Sequence, residues 1–164
     1  MQSRFLLYNN AMKLVVMSDS HGRDEMVRRV IKENRDADYF LHAGDLCSDE
    51  ALFPEVIFVR GNNDWYSDFP KQRLMRFNNV RIYMTHSDGM YGSSRYQRLA
   101  QIGKTNNCQL VIFGHTHCWY DETIDGVRIL NPGSLLYNRD GSQMGYYIIY
   151  IENGEYRVTR KFLD

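Results

Sequence analysis

Seven side chains in this sequence are of types that hold transition metals, and they fall in five closely spaced groups: Asp19 with His21, Asp45, Asn62, His86, and His115 with His117. Carboxylate, amide and imidazole donors together suit manganese, iron, zinc or nickel better than calcium alone. In Asp19-x-His21 and His115-x-His117 a single intervening residue lets alternate side chains of a turn address neighbouring ions. A carboxylate such as Asp45 can bridge two cations about 3.5–4 Å apart. The neutral amide of Asn62 adds a ligand without cancelling more positive charge, and an anionic substrate needs that charge. Each group also has a plainer reading. Gly44-Asp45 alone describes a turn, and Asp19 or Ser20 could cap a helix. Gly61-Asn62-Asn63-Asp64 is loop composition. His86 could be a hydrogen-bonded histidine under a sheet edge, and His115-x-His117 could face solvent. Those plainer readings would have to hold five times over, and four of the five histidines fall in these groups.

What must position these residues is a series of short apolar strands. Leu14 to Met17 runs into Ser18-Asp19-Ser20-His21-Gly22, and Tyr39 to Leu41 into His42-Ala43-Gly44-Asp45. Val56 to Val59 ends on Arg60-Gly61-Asn62-Asn63-Asp64, Val80 to Met84 on Thr85-His86, and Gln109 to Phe113 on Gly114-His115-Thr116-His117. Met26, Val27, Val30 and Ile31 recur at helical spacing and predict a helix from about Asp24 to Asn34. A second helix is expected over Ser93 to Thr105. Asp125-Gly126, between Thr123-Ile124 and Val127–Leu130, and Asn153-Gly154, between Tyr146–Ile151 and Tyr156–Phe162, are two-residue hairpin signals. Strands alternating with helices and then hairpins predict an α/β architecture of two mixed sheets packed together. Ligands in open α/β folds gather at the carboxyl ends of strands, so five such loops can converge on one site.

Composition narrows the partners. The 164 residues suffice for one domain with its own core, here taken as 13–164 behind an N-terminal extension over 1–12, with Met12 a plausible start. Twenty basic side chains balance twenty acidic ones, which leaves no electrostatic footprint for long nucleic acid. A small phosphate ester or a nucleotide remains open, because a metal site carries its own charge. Cys47, Cys108 and Cys118 are odd in number and lack CxxC spacing, as expected in a reducing cytoplasm. No run of eighteen apolar residues occurs, so no membrane-spanning helix is expected. The C-terminal hairpins could mediate a homo-oligomer.

The ordered set Asp19-x-His21, Gly44-Asp45, Gly61-Asn62-Asn63-Asp64, His86 and Gly114-His115-Thr116-His117 resembles the calcineurin-like metallophosphoesterase superfamily. It looks most like the small bacterial and archaeal phosphodiesterases of that superfamily, with Asn131-Pro132-Gly133-Ser134 a further shared segment. The resemblance implies a four-layer α/β/β/α sandwich and two divalent metal ions, manganese the first guess. One ion would be held by Asp19, His21, Asp45 and His117, the other by Asp45, Asn62, His86 and His115. It also implies in-line attack on phosphorus by a hydroxide held between the ions, with Asn62 and Asn63 holding non-bridging oxygens and Asp64 orienting its loop. Two departures stand out. Larger members of the superfamily read Gly-Asn-His-Asp where this chain has Asn63, and glycine often follows the histidine where it has Ser87. An amide cannot transfer a proton at neutral pH, so leaving groups of low pKa are expected; the small phosphodiesterases also often lack this histidine, so the resemblance points to diesters. The alternatives are a phosphomonoesterase and a non-catalytic scaffold, as in the retromer subunit of this fold.

Several residues near these loops have a plain and a functional reading. His42 reads as packed rather than ligating, and Cys118 as buried despite following His117. Arg95, Arg98 and Arg139 could contact phosphate, with solvent-facing arginine the default. Trp65, Tyr66 and Tyr91 border the loops and could stack on a base, although packing is the commoner role.

Overall fold

Residues 11–164 are described by the computed structural model. The extension expected over 1–12 therefore lies largely outside the described residues, and Met12 is already the first residue of strand β1, Met12–Met17. The order continues α1 (Asp24–Glu33), β2 (Tyr39–His42), a 3-10 turn (Glu50–Leu52), β3 (Val56–Phe58), β4 (Gln72–Phe77), β5 (Val80–Thr85), α2 (Ser94–Thr105), β6 (Leu110–Phe113), β7 (Trp119–Ile124), β8 (Val127–Pro132), β9 (Gly145–Glu152) and β10 (Glu155–Phe162). One five-stranded sheet has the order β10-β9-β1-β2-β3 and the other β4-β5-β6-β8-β7. Both are mixed: β1 pairs in parallel with β2 and antiparallel with β9, while β6 is parallel to β5 and β8.

The period-two pattern of the central strands decides the layering. Leu14 and Val16 of β1 join Ile82 and Met84 of β5, Leu110 and Ile112 of β6, and Ile149 of β9 in a cluster between the sheets. The alternate residues, Val15 and Met17, turn outward and pack with Met26, Val27 and Val30 of α1. Val111 and Phe113 likewise face Leu99 and Ala100 of α2. These strands are buried on both faces, which is why they read as unbroken apolar runs. The result is a helix, two sheets and a helix, the four-layer α/β/β/α sandwich expected. Both hairpins also form. Asp125 and Gly126 have φ of 51° and 81°, and Asn153 and Gly154 have 53° and 77°, as type I′ turns require.

Three elements differ from the sequence expectation. β4 was not anticipated, β7 extends back to Trp119 from the expected Thr123, and the 3-10 turn is additional. β4 is an edge strand of sequence QRLMRF paired only with β5, and β7 is the opposite edge of the same sheet. Edge positions bury few side chains, so no apolar run marks them.

Candidate metal centre

The loops after β1, β2, β3, β5 and β6 lie together at the carboxyl ends of their strands. Backbone bonds continue the parallel ladder past the strands: Asp19 N donates to Gly44 O at 3.0 Å, His21 N to Asp45 O at 3.0 Å, and Gly22 N to Leu46 O at 2.8 Å. The loop after β6 is tied in by His115 N, which donates to Asp19 Oδ2 at 3.0 Å. The loop after β3 is held by Asp64. Its Oδ2 accepts from Asp45 N (2.8 Å) and Gly61 N (2.7 Å), and its Oδ1 from Cys47 N (2.9 Å). The loops approach so closely that two glycines are obligatory. A Cβ on Gly61 would collide with the Asp45 carboxylate, and one on Gly114 with Ser18 and the Asp19 carboxylate.

Five of the seven candidate ligands adopt left-handed backbone: Asp19 (φ 52°), His21 (45°), Asp45 (57°), His115 (72°) and His117 (54°). Non-glycine residues avoid this region, and its cost of about 1–3 kcal/mol each persists only where the surroundings over-determine the conformation. Ser87, where family members often carry glycine, sits at φ 73°. The serine therefore takes up the conformation glycine would favour.

All seven candidate side chains meet. His117 Nε2 lies 3.3 Å from Asp19 Oδ1 and 3.0 Å from His21 Nε2. Asp45 Oδ2 lies 3.5 Å from His21 Nε2 and 3.3 Å from His86 Nε2, reaching histidines on both sides. Asn62 Oδ1 lies 3.1 Å from both His86 Nε2 and His115 Nδ1. Donor atoms of Asp19, His21 and His117 fall within 4.8 Å of one another, as do those of Asp19, Asp45 and His86.

The electrostatics fit cations. His86 Nδ1 faces Ala43 O at 2.8 Å, so the ring donates there and presents Nε2 to two carboxylates and an amide oxygen. His21 and His117 likewise face each other through Nε2. Lone pairs aimed at lone pairs need a proton or a metal between them, and a backbone carbonyl behind a histidine is the usual support of a metal ligand. Burial opposes charge on Asp19, but a hydrogen bond with His117, the charge of His86 and the Ser18 hydroxyl at 2.5 Å hold its carboxyl below the usual range. Asp45 is likewise held low against burial by His86 and by the backbone and side-chain bonds of Asn63. Burial disfavours charge on His86, yet its bond to Asp45 and the charges of Asp19 and Asp45 push it up to about 9. His115 is shifted down by burial and by the charges of His86 and Arg95.

Asn131 and Ser134 brace this cluster. Asn131 Nδ2 donates to Gly114 O (3.1 Å) and Thr116 Oγ1 (3.0 Å), and Ser134 Oγ donates to Asp19 O at 2.7 Å. His42 is packed: fully buried, it accepts from Gly44 N at Nδ1 (3.2 Å) and therefore donates from Nε2 to Ser20 Oγ (3.0 Å). Arg98 and Arg139 are exposed, whereas Arg95 departs from the solvent-facing default. It is 9% exposed, with its guanidinium on Met90 O. Cys118 turns back to Thr116 O. The thiol near the candidate ligands is instead Cys47, 3.6 Å from His21 Nδ1, and Tyr137 packs edge-on against His117. Sequence reasoning missed both. Only the position of Cys47 two residues after Asp45 hinted at it.

Asn63 makes a contact that was not expected. Its backbone N–H and its side-chain Nδ2 both donate to the Asp45 carboxylate at 2.8 Å, so Asn63 also holds that ligand in place.

Residues 12–154 match the calcineurin-like phosphoesterase superfamily domain. A probable metallophosphoesterase of Methanocaldococcus jannaschii is 30% identical over 82% of this chain and 73% of its own. One from Bacillus subtilis is 29% identical over 93% and 91%. A phosphodiesterase of M. jannaschii is 26% identical over 74% and 83%. Among solved structures, a predicted phosphoesterase of Streptococcus pneumoniae superposes with a TM-score of 0.82 at 24% identity, over 93% of this chain and 90% of that one. Vps29 of Entamoeba histolytica, complexed with zinc, gives 0.71 at 20% identity, over 92% and 99%. With a family model covering most of its length and a metal-competent loop cluster in place, the chain belongs to the calcineurin-like phosphoesterase superfamily.

Proposed function

We propose that this metallophosphoesterase is a phosphodiesterase working with two divalent cations, manganese the first choice. Asp19, His21, Asp45 and His117 would hold one, and Asp45, Asn62, His86 and His115 the other. When bound, such a pair neutralises phosphate charge and makes water acidic enough to attack phosphorus near neutral pH. The chain's own residues prepare that chemistry. Asp45 is kept ionised and aimed by two bonds from Asn63. Asp64 acts as a positioning residue, fixing the backbone of Asp45, Gly61 and Cys47. His86 is turned by Ala43 O so that Nε2 faces inward. Asn62 offers a neutral oxygen that leaves net positive charge for an anionic ester.

The observation that carries the diester reading is Asn63. A carboxamide there cannot donate a proton to a departing alkoxide at neutral pH, and its Nδ2 is held on Asp45. Esters whose leaving group needs no proton, aryl diesters above all, should therefore be preferred over alkyl monoesters. The relative named a phosphodiesterase supports the same reading. A scaffold role needs no metal ligands, whereas here all seven positions carry metal-competent side chains.

The test is turnover by metal-free protein reloaded with manganese, on an aryl diester and an alkyl monoester side by side. Faster hydrolysis of the diester is expected. Faster hydrolysis of the alkyl monoester would reverse the assignment to a monoesterase, and metal uptake without turnover of either would point to the scaffold.

A further inference from the structure

Beside the metal-loop cluster lies a cleft of about 530 Å3, inside the size range of small-molecule sites. Cys47, Asn63 and Asp64 line it, and all three also touch candidate ligands: Cys47 Sγ approaches His21, Asn63 Nδ2 donates to Asp45, and Asp64 accepts from Asp45 N. Cleft and centre are thus continuous. The apolar part of the lining is made by Leu46, Val59 and Phe58, each at most 3% exposed, and by Phe69, which stacks on Phe58 with ring centroids 5.4 Å apart.

Trp65 and Tyr66 follow the Asn62–Asp64 loop and also line the cleft, yet they are 78% and 99% exposed. Aromatic rings of this size are usually among the most buried parts of a protein. Two left in solvent at the mouth of an apolar cleft are available to stack on a planar group entering it. The charged lining residues are Asp49, Glu50 and Asp64, and no lysine or arginine joins them. Asp64 is spent on backbone N–H groups, whereas Asp49 is exposed with one oxygen accepting from Ala51 N, and Glu50 accepts at one oxygen from Ser67. The cleft therefore combines an apolar, aromatic surface, which suits a planar ring, with negative potential, which repels a second anion.

We infer that this cleft receives the alcohol side of the diester, and that this alcohol carries a planar aromatic group without negative charge. The inference rests on the phosphodiesterase reading of the metal centre. It specifies a diester of one negative charge, at the phosphorus, and sets aside substrates with a further phosphate or carboxylate on that side.

Trp65 and Trp119 are the two tryptophans of the chain, so in a Trp119→Phe background Trp65 fluorescence reports on the cleft alone. The probes are 4-nitrophenyl methylphosphonate and its ring-carboxylated analogue, titrated into the manganese-loaded protein. The neutral ring should quench Trp65 and bind at least about tenfold more tightly than the carboxylated one. The Asp49→Asn/Glu50→Gln double variant should narrow that gap to about threefold or less. Quenching by neither probe, or equal affinity for both, overturns the inference. This readout needs no turnover, so an inactive protein that still discriminates between the probes sinks the phosphodiesterase reading and leaves the cleft assignment standing. Active protein whose KM for methyl 4-nitrophenyl phosphate is unmoved by Trp65→Ala would sink the cleft and spare the enzyme. A KM increase of about tenfold at similar kcat is expected.

Discussion

Two regions of this molecule are equally dry and are held together in opposite ways. Between the sheets, Leu14, Val16, Ile82, Met84, Leu110 and Ile112 are fully buried and purely apolar. A short distance along the same strands, Ser18, Asp19, Ser20, His42, Asp45, His86, His117, Asn131 and Ser134 are also buried, at 3% exposure or less. The first region is stabilised by removal of apolar surface from water and close packing. The second sacrifices that gain. It hydrogen-bonds most of its buried polar atoms, His117 Nδ1 and Ser87 Oγ excepted, and holds five of the seven candidate ligands in left-handed backbone. The apolar layer is rigid enough to over-determine the loops, and the loops convert that rigidity into a preorganised donor set.

The sharpest way to break the comparison is to change one residue in each region. Asp45→Asn keeps shape but removes the charge that spans both histidine pairs. Manganese-dependent hydrolysis should fall by about a thousandfold or more, equivalent to at least roughly 4 kcal/mol, with native circular dichroism retained. Full activity in that variant would refute the shared-ligand assignment. Ile112→Ala, in the fully buried layer, should cost about 2–5 kcal/mol of unfolding free energy in denaturant titration. The fraction that remains folded should hydrolyse substrate within about twofold of the parent rate. Severe loss of activity in that folded fraction would mean that the two regions are not separable.

A subtler test uses His42, which belongs to the polar region without being a candidate ligand. Burial, partly countered by the charges of Asp19 and Asp64, lowers it from 6.5 to about 4. A folded value below the unfolded one means that the unfolded chain binds the extra proton between those limits. Its contribution is therefore complete above pH 6.5 and lost as pH falls toward 4, with a slope of at most about 1.4 kcal/mol per pH unit. Replacing it by glutamine should flatten the stability profile of metal-free protein in that window, and an unchanged slope would assign the acid sensitivity elsewhere. The smallest effect concerns strain. Ser87→Gly should relieve the φ of 73° at a residue whose buried hydroxyl has no hydrogen-bond partner, raising stability by about 1 kcal/mol in thermal unfolding. A loss of stability would mean that the serine hydroxyl holds the loop after all.

Much of this was legible in the chain because the signals were local. Apolar runs such as Leu110–Phe113 reveal strands buried on both faces, and Asp125-Gly126 and Asn153-Gly154 reveal their turns. All seven candidate ligands could be picked out because each sits just past such a run. The edge strand QRLMRF could not, since its burial comes from one neighbour and its polar and apolar residues form neither an unbroken apolar run nor a period of two. Cys47 and Tyr137 were missed for a different reason: their proximity to His21 and His117 depends on loops far apart in sequence.

Residue type and spacing alone therefore determined two packed mixed sheets, the strand-to-loop punctuation and which side chains could bind a metal, because periodicity and donor chemistry belong to the chain. Only the tertiary structure decided that Asn63 holds Asp45 through both its backbone N–H and its side-chain amide, that Asp64 stitches three backbone amides, and that a serine takes up the left-handed conformation after His86. It also decided that an acidic, aromatic cleft opens beside the donors. These depend on which loops the packed sheets bring within hydrogen-bond reach, and no local pattern encodes that distance.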